Sequence, residues 1–378
     1  MSEQPRIAVL SHSAVEPTYQ RKWELLAESG WKVLLVVPTH WPESGRLTRA
    51  KPRKSGNLKI EVCRGLLIGR VGDWIPVGIG KRIVRFRPDL VYAEEEPFSI
   101  ACWRAMRIAR SLKVPGAFFT WENVWRRYRW PFSYILPRVL KMAKGAVAGN
   151  SKASRILERR GFRGKARVIP QYGFDLGLFR PMSRNSCRRA LGWPIAPVII
   201  GYVGRLVPEK GVEILIRAVA KLGKGVSVAI IGSGPCEKDL RQRALDILGE
   251  DRAIFAHAVS RDRMPRVFGA LNALVLPSLT TKEWKEQFGR VLPEALLCGR
   301  WALGSSSGEI PNVLGDRRVV FREGDAADLA GKIENLVMKA GHRGLLSRLR
   351  ARARKRFSEP AVVEAGRKFF CSLLTRGK

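Results

Sequence analysis

Val198-Ile199-Ile200-Gly201-Tyr202-Val203 runs directly into Gly204-Arg205-Leu206-Val207-Pro208-Glu209-Lys210-Gly211, and the reading of this junction decides the fold. The first six residues read as a strand, and the loop after them opens onto an apolar helical pattern at about 211–222. Arg205 and Lys210 stand five residues apart just before that helix. A diphosphate needs such counter-charges and free backbone N–H groups at a helix start. In a chain with 69 Lys and Arg, ordinary surface charge is the other reading of this loop.

The same alternation extends in both directions. Downstream, strands are expected at 226–231, 253–256, 273–276, 301–304 and 318–321, with helices at about 236–248, 261–271, 290–299 and 325–339. Upstream, 6–10, 32–37, 58–63, 89–92, 115–119, 145–148 and 166–169 read as strands of another sheet, with helices at 19–29 and 98–112. Short β-branched runs alternating with helical patterns are the mark of parallel sheets with crossover helices. The fold class is therefore α/β with two Rossmann-like doubly wound domains. An N-terminal domain is expected over 1–180 and a linker, rich in Pro, Ser, Asn and basic residues, over 181–197. A second domain follows over 198–350, and a C-terminal crossover helix over 351–378 packs across the junction.

A length of 378 residues with 46% hydrophobic content supports two such cores. The formal charge of +36 implies attraction to polyanions, and the excess spreads over both halves. No zinc-finger spacing, basic zipper or aromatic RNA-binding signature is present, so no specific nucleic acid is expected. An anionic membrane surface fits better. Arg104, Arg107, Arg110 and Lys113 recur at helical spacing, then come Arg126, Arg127, Arg129 and Trp130, then Arg138, Lys141 and Lys144. Beside Trp125, Trp130, Phe132 and Tyr134 they suit a headgroup zone, although a solvated basic face would show the same pattern. The six cysteines and four histidines form no metal-type cluster or disulfide framework, so reduced thiols and no metal are expected. With no signal-peptide pattern and no bilayer-length apolar run, the expected location is cytoplasmic, at most peripheral on the inner face of the membrane.

In open α/β sheets, ligands lie beyond the carboxyl ends of the strands. Besides the Gly204 loop, the second domain offers Gly232-Ser233-Gly234-Pro235, where missing side chains admit a phosphate or ribose. Pro277-Ser278 leads on to Glu286 and Glu294, which bracket Phe288-Gly289-Arg290, and Ser305 to Pro311 is a further polar loop. A loop carboxylate followed by one on the next helix can grip several hydroxyls at once. Glu294 also reads as a charge favoured by the helix dipole.

In order and spacing these motifs resemble the retaining GT-B glycosyltransferases of family 4, also described as glycosyl transferases group 1. The likeness is looser through the N-terminal domain, as at Ile169-Pro170-Gln171-Tyr172-Gly173-Phe174-Asp175. It implies a hexosyltransferase that moves a sugar from a nucleotide-sugar donor, with retention, to a glycan or lipid-linked acceptor of the cell envelope, without a metal or other cofactor. Arg205 and Lys210 would clamp the diphosphate and stabilise it as it leaves. Glu294 would accept from the ribose hydroxyls and Glu286 from those of the sugar, beside the backbone of Phe288, Gly289 and Arg290. Gly204, Gly232, Gly234 and Val259 complete the donor set. Glu286 is the third catalytic candidate, and a nucleophilic role for it is the minor alternative.

Two departures stand out. The first loop, Ser11-His12-Ser13-Ala14-Val15-Glu16-Pro17, lacks the family's Gly-Gly, and Thr120-Trp121-Glu122-Asn123 stands where many members have a His. Glu122 and Asn123, with Glu95 of the Glu94-Glu95-Glu96 turn, are acceptor-side candidates; a solvated acidic turn is the plainer reading of that triplet. The competing function is a basic polyanion or nucleic-acid binder that keeps the fold without transfer.

Overall fold

The computed structural model describes residues 4–43, 46–51, 53–339 and 342–374. The chain divides into two compact units, Met1–Gly173 with Glu359–Lys378, and Phe174–Ser358.

The main sheet of the first unit has strands β1 (Arg6–Leu10), β2 (Lys32–Pro38), β3 (Arg53–Ser55), β4 (Leu58–Cys63), β5 (Leu90–Ala93), β6 (Gly116–Thr120), β7 (Gly145–Ala148) and β8 (Lys165–Val168). They lie in the order β8-β7-β6-β5-β1-β2-β4-β3. All neighbours are parallel except β3, which runs antiparallel on β4. Central β1 sets Val9 opposite Leu35 on one side and Tyr92 on the other. Strands β5, β6 and β7 are buried along their whole length, as expected where helices cover both faces.

Those helices are α1 (Arg21–Glu28), α2 (Ile79–Phe86), α3 (Ile100–Ser111), α4 (Phe132–Met142) and α5 (Ser151–Arg159). Ser99 Oγ accepts from Cys102 N at 3.1 Å and Asn150 Oδ1 from Ala153 N at 2.8 Å, so side-chain caps start α3 and α5. The sequence reading left α2, α4 and α5 unassigned. In α4 the cause is plain: Pro137 sits inside the helix, where it removes a backbone donor.

The second unit has strands β9 (Val198–Val203), β10 (Val226–Ile231), β11 (Ala253–Ala256), β12 (Ala273–Leu276), β13 (Trp301–Ser305) and β14 (Val320–Phe321). They form one sheet in the order β11-β10-β9-β12-β13-β14, parallel throughout. The order reverses beside β9, so the loop after it sits at a topological switch point.

The stretch 181–197, read as a linker, contains α6 (Arg184–Leu191). Its composition looks loop-like because its buried side is a cation. Arg188, 2% exposed, donates to the carbonyls of Ala270, Ile195 and Pro197 and to Asn272 Oδ1, each within 3.0 Å. The unit continues with α7 (Val212–Ala220), α8 (Glu237–Leu248), α9 (Met264–Ala270), α10 (Val291–Leu297), α11 (Ile310–Leu314) and α12 (Ala326–Ile333).

The helical tail is two helices, α13 (Arg343–Phe357) and α14 (Glu359–Leu374), separated by the extended residue Ser358. Helix α14 rejoins the first unit. Phe370 meets Tyr92 edge-on at 5.1 Å and Trp31 at 6.2 Å, and Phe369 packs on the β7 end at Gly145. Among the described residues no helix is long and apolar enough to cross a membrane.

Candidate active site

Because the strands of the second sheet are parallel, their carboxyl ends place the loops 204–211, 232–235, 257–260, 277–290 and 305–309 along one edge. Backbone contacts bind the first two loops to each other. Leu206 N donates to Ser233 O at 2.9 Å and Cys236 N to Leu206 O at 3.0 Å, while the Tyr202 side-chain Oη donates to Arg205 O within the first loop at 2.7 Å. Gly232 (φ 151°) must lack a side chain, since a β-carbon there would run into the Gly204 carbonyl. Arg205 is thereby held at a fixed point of the edge with its side chain exposed.

Lys210 closes a 3-10 turn, Pro208–Lys210, whose Glu209 carbonyl accepts from Leu279 N at 2.8 Å. This ties the β9 loop to the β12 loop. Across the tie, Lys210 Nζ meets Glu286 Oε2 at 2.6 Å and lies 4.7 Å from the centre of the Trp284 ring. Ser278 Oγ donates to the same Glu286 oxygen at 2.8 Å. The main chain of Glu286 is pinned as well, its carbonyl accepting from Glu309 N at 3.0 Å. Gly308 (φ 57°) permits that approach, because a β-carbon would strike the Glu286 carbonyl. Side chain and backbone of Glu286 therefore stitch three strand ends together.

Glu294 falls in the first turn of α10 and is 7% exposed, as is Glu286. Burial pushes its carboxyl up to about 7, only partly opposed by the Arg290 and Arg261 guanidinium groups. Arg290 Nη2 stands 3.9 Å away, too far for a good hydrogen bond. Gly289 turns the chain into α10 at φ 78°, and Phe288 is buried edge-on to Phe357 at 5.4 Å. Val259 lies half-buried in the loop after β11. Every donor-side residue named from the sequence thus belongs to this one edge or to the helix leaving it. Ser278, named in the sequence as the strand end leading to Glu286, joins Lys210 and Glu286 through its Oγ, and so does the Trp284 ring, which no signal in the sequence marked.

The corresponding edge of the first unit is more acidic and more buried than a solvated turn. Glu94 and Glu95 are 2% and 1% exposed. Glu94 pairs with Lys22 and accepts from Ser11 Oγ at 2.8 Å. Glu95 accepts from His12 N and Nδ1, both at 2.7 Å. Burial raises the Glu95 carboxyl, with His12 opposing it. Glu96 accepts from Thr120 Oγ1 at 2.6 Å and Trp121 N at 2.7 Å, yet burial still drives it up to about 7.

Glu122 and Asn123 are each 8% exposed, and the Glu122 carboxylate is taken by Arg160 Nη2 at 2.5 Å and Tyr128 Oη at 3.1 Å. The Gly-free first loop winds through two 3-10 turns, Ser13–Val15 and Pro17–Tyr19, and places His12 against the Trp41 ring at 4.3 Å. Lys22 and Arg160 were not expected at this edge, and His12 of the first loop was given no partner, since nothing local in the sequence marks a partner more than 30 residues away. Among the described residues no three His, Cys, Asp or Glu side chains gather as a metal site.

Two doubly wound parallel-sheet units make the GT-B fold, which the chain shares with solved glycosyltransferase structures. HepE from Anabaena, solved in complex with UDP, matches at a TM-score of 0.74 and 18% identity, covering 97% of this chain and 100% of that one. Sucrose-phosphate synthase from Thermosynechococcus elongatus matches at 0.70 and 20% identity, covering 98% and 99%. At such identities the likeness establishes the fold alone.

In sequence, the family glycosyl transferases group 1 matches residues 183–356, most of the second unit. D-inositol 3-phosphate glycosyltransferase of Mycolicibacterium smegmatis is 37% identical over 149 residues, 38% of this chain. The matched part is 33% of that relative, so the chain matches about a third of its length.

Proposed function

We propose that the protein is a retaining glycosyltransferase of family 4, transferring a hexose from a nucleotide sugar to an envelope glycan or glycolipid without a metal. What carries the reading is the Lys210–Glu286–Ser278 contact beside exposed Arg205 at the switch point of the second sheet. Fixed cations there stabilise a diphosphate as it gathers charge on leaving. The group 1 match over this unit and the UDP bound to HepE support a nucleoside diphosphate, with uridine the first base to try.

Glu294 grips the ribose hydroxyls in this reading, and Glu286 those of the sugar. Glu286 serves poorly as a nucleophile, because its Oε2 is already held by an ammonium and a hydroxyl. The leaving phosphate takes the acceptor proton instead, which gives retention without an enzymic nucleophile. Glu95, Glu122 and Asn123 shape the acceptor side, the two carboxylates through their His12 and Arg160 partners. The basic, aromatic segments of the first unit bring the enzyme to an anionic membrane, where a lipid-linked acceptor resides.

The test is a thermal-shift panel of sugar nucleotides, since a ligand that binds only the folded state raises its stability. One of them, UDP-glucose the leading candidate, should raise the melting temperature and support sugar release or transfer. Arg205→Ala and Lys210→Ala should each cut turnover by about 10²–10³. Unchanged turnover in both variants would refute the clamp. Salt-sensitive RNA binding with no donor turnover would favour the polyanion-binder reading.

A further inference from the structure

Helices α3 and α4 leave between them a groove of about 770 Å³ on the first unit. Five cations line it, Arg107, Arg110, Arg138, Lys141 and Lys144, with no carboxylate. Arg107 and Arg110 on α3, and Arg138 and Lys141 on α4, stand three residues apart, with Lys144 just past the end of α4, so they form one outward face rather than a scatter. Two are steadied by aromatic rings: the Arg107 guanidinium lies 5.1 Å from the Trp103 ring centre and that of Arg138 3.3 Å from Tyr134. A cation stacked this way loses little freedom when its remaining donors meet an anion.

A second depression of about 340 Å³ lies between α2 and α3 and shares Arg107. It adds Arg104 and again no carboxylate. The basic face thus continues along α3 to its α2 side, where α2 lines the depression with Ile79 and Gly80. At the start of α4, Trp130 is 81% exposed and Tyr134 47% exposed, which no internal packing requires. Phe132, expected to share that surface, turns inward against Phe98 at 5.8 Å and anchors the helix start.

We propose that this α2–α3–α4 face is the membrane-docking surface of the protein, with anionic phospholipid headgroups seated in the α3/α4 groove and Trp130 entering the interfacial zone. A small soluble anion would need one enclosed cluster of donors, whereas two open depressions joined by a shared arginine suit an array of phosphates in a plane. Exposed Trp and Tyr beside them suit the boundary between headgroups and acyl chains. The inference rests on the membrane part of the proposed function and is independent of the sugar-transfer part.

Co-sedimentation of the full chain with vesicles tests it. Vesicles containing about a third phosphatidylglycerol should pull the protein down at moderate salt, and pure phosphatidylcholine vesicles should not. The triple variant Arg107→Glu, Arg138→Glu, Lys141→Glu should lose at least about tenfold in vesicle affinity. Its melting temperature should stay within a few degrees of wild type, and so should any nucleotide-sugar shift. A charge-matched control, Lys221→Glu, Lys224→Glu, Lys238→Glu on exposed positions of the second unit, should lose far less, and Trp130→Ala should weaken binding without altering net charge.

Equal losses in the groove and control variants would overturn the groove while leaving membrane attraction standing. No preference for anionic vesicles would overturn both. Tighter binding to a single-stranded RNA than to vesicles at equal phosphate, lost in the groove variant, would also overturn it and assign the face to nucleic acid. Loss of the sugar-nucleotide shift alone would leave the docking surface untouched.

Discussion

Glu294 shows what burial does to a single residue. Its carboxyl rises to about 7 in the folded state, above the usual carboxylate value, because desolvation outweighs the two nearby arginines. A raised folded value means that stability from this group is fully present below about pH 4.5 and is lost as pH climbs through 7. Denaturant unfolding of Glu294→Gln should therefore lose less stability than wild type between pH 4.5 and 8, by roughly 3 kcal/mol. Parallel curves would show that Glu294 titrates normally.

If the ribose hydroxyls donate to an ionised Glu294, binding of UDP-glucose should tighten as pH rises from 5.5 to 7.5, and the glutamine variant should lose that dependence. Calorimetry at several pH values reads this directly. The motif residues were legible because each is a local cue: a Gly at a turn, a cation before a helix, a Glu at a helix start. Their partners were not. Lys210 and Glu286 meet across 76 residues, and His12 and Glu95 across 83.

At the scale of elements, strands read more clearly than helices. Buried parallel strands need an unbroken apolar run, so β9 and β10 announce themselves as VIIGYV and VSVAII. Helix α4 hides behind Pro137, and α6 behind a buried arginine satisfied by carbonyls that only folding brings near. Helix α14 read as helical, but its place in the first unit depended on Phe370 finding the Tyr92 ring of β5 and Phe369 the bare backbone of β7 at Gly145. Phe370→Ala should destabilise the first unit by about 3–5 kcal/mol, because it opens a cavity against Trp31 and Tyr92. Guanidinium unfolding followed by tryptophan emission checks this, and a loss under 1 kcal/mol would mean that α14 is only loosely seated.

Over the whole molecule, two units of separate core make ligand effects local. On adding the sugar nucleotide that binds, hydrogen exchange should slow in 204–211, 232–235 and 286–296, whereas β1 and β5 to β7 of the first unit should change little. Protection gained chiefly in the first unit would move the donor site there.

By itself, the sequence determined two parallel-sheet units, the strand-end edge of the second on which the candidate residues stand, and the strong positive charge, because apolar periodicity, turn chemistry and net charge are local sums along the chain. Only the tertiary structure decided that Glu286 is held by Lys210 and Ser278, that Glu94 and Glu95 are buried and paired with Lys22 and His12, and that the cations of α3 and α4 line one groove. Those facts depend on which side chains, distant in sequence, the fold brings together: in buried space for the glutamates, and on one exposed face for the cations.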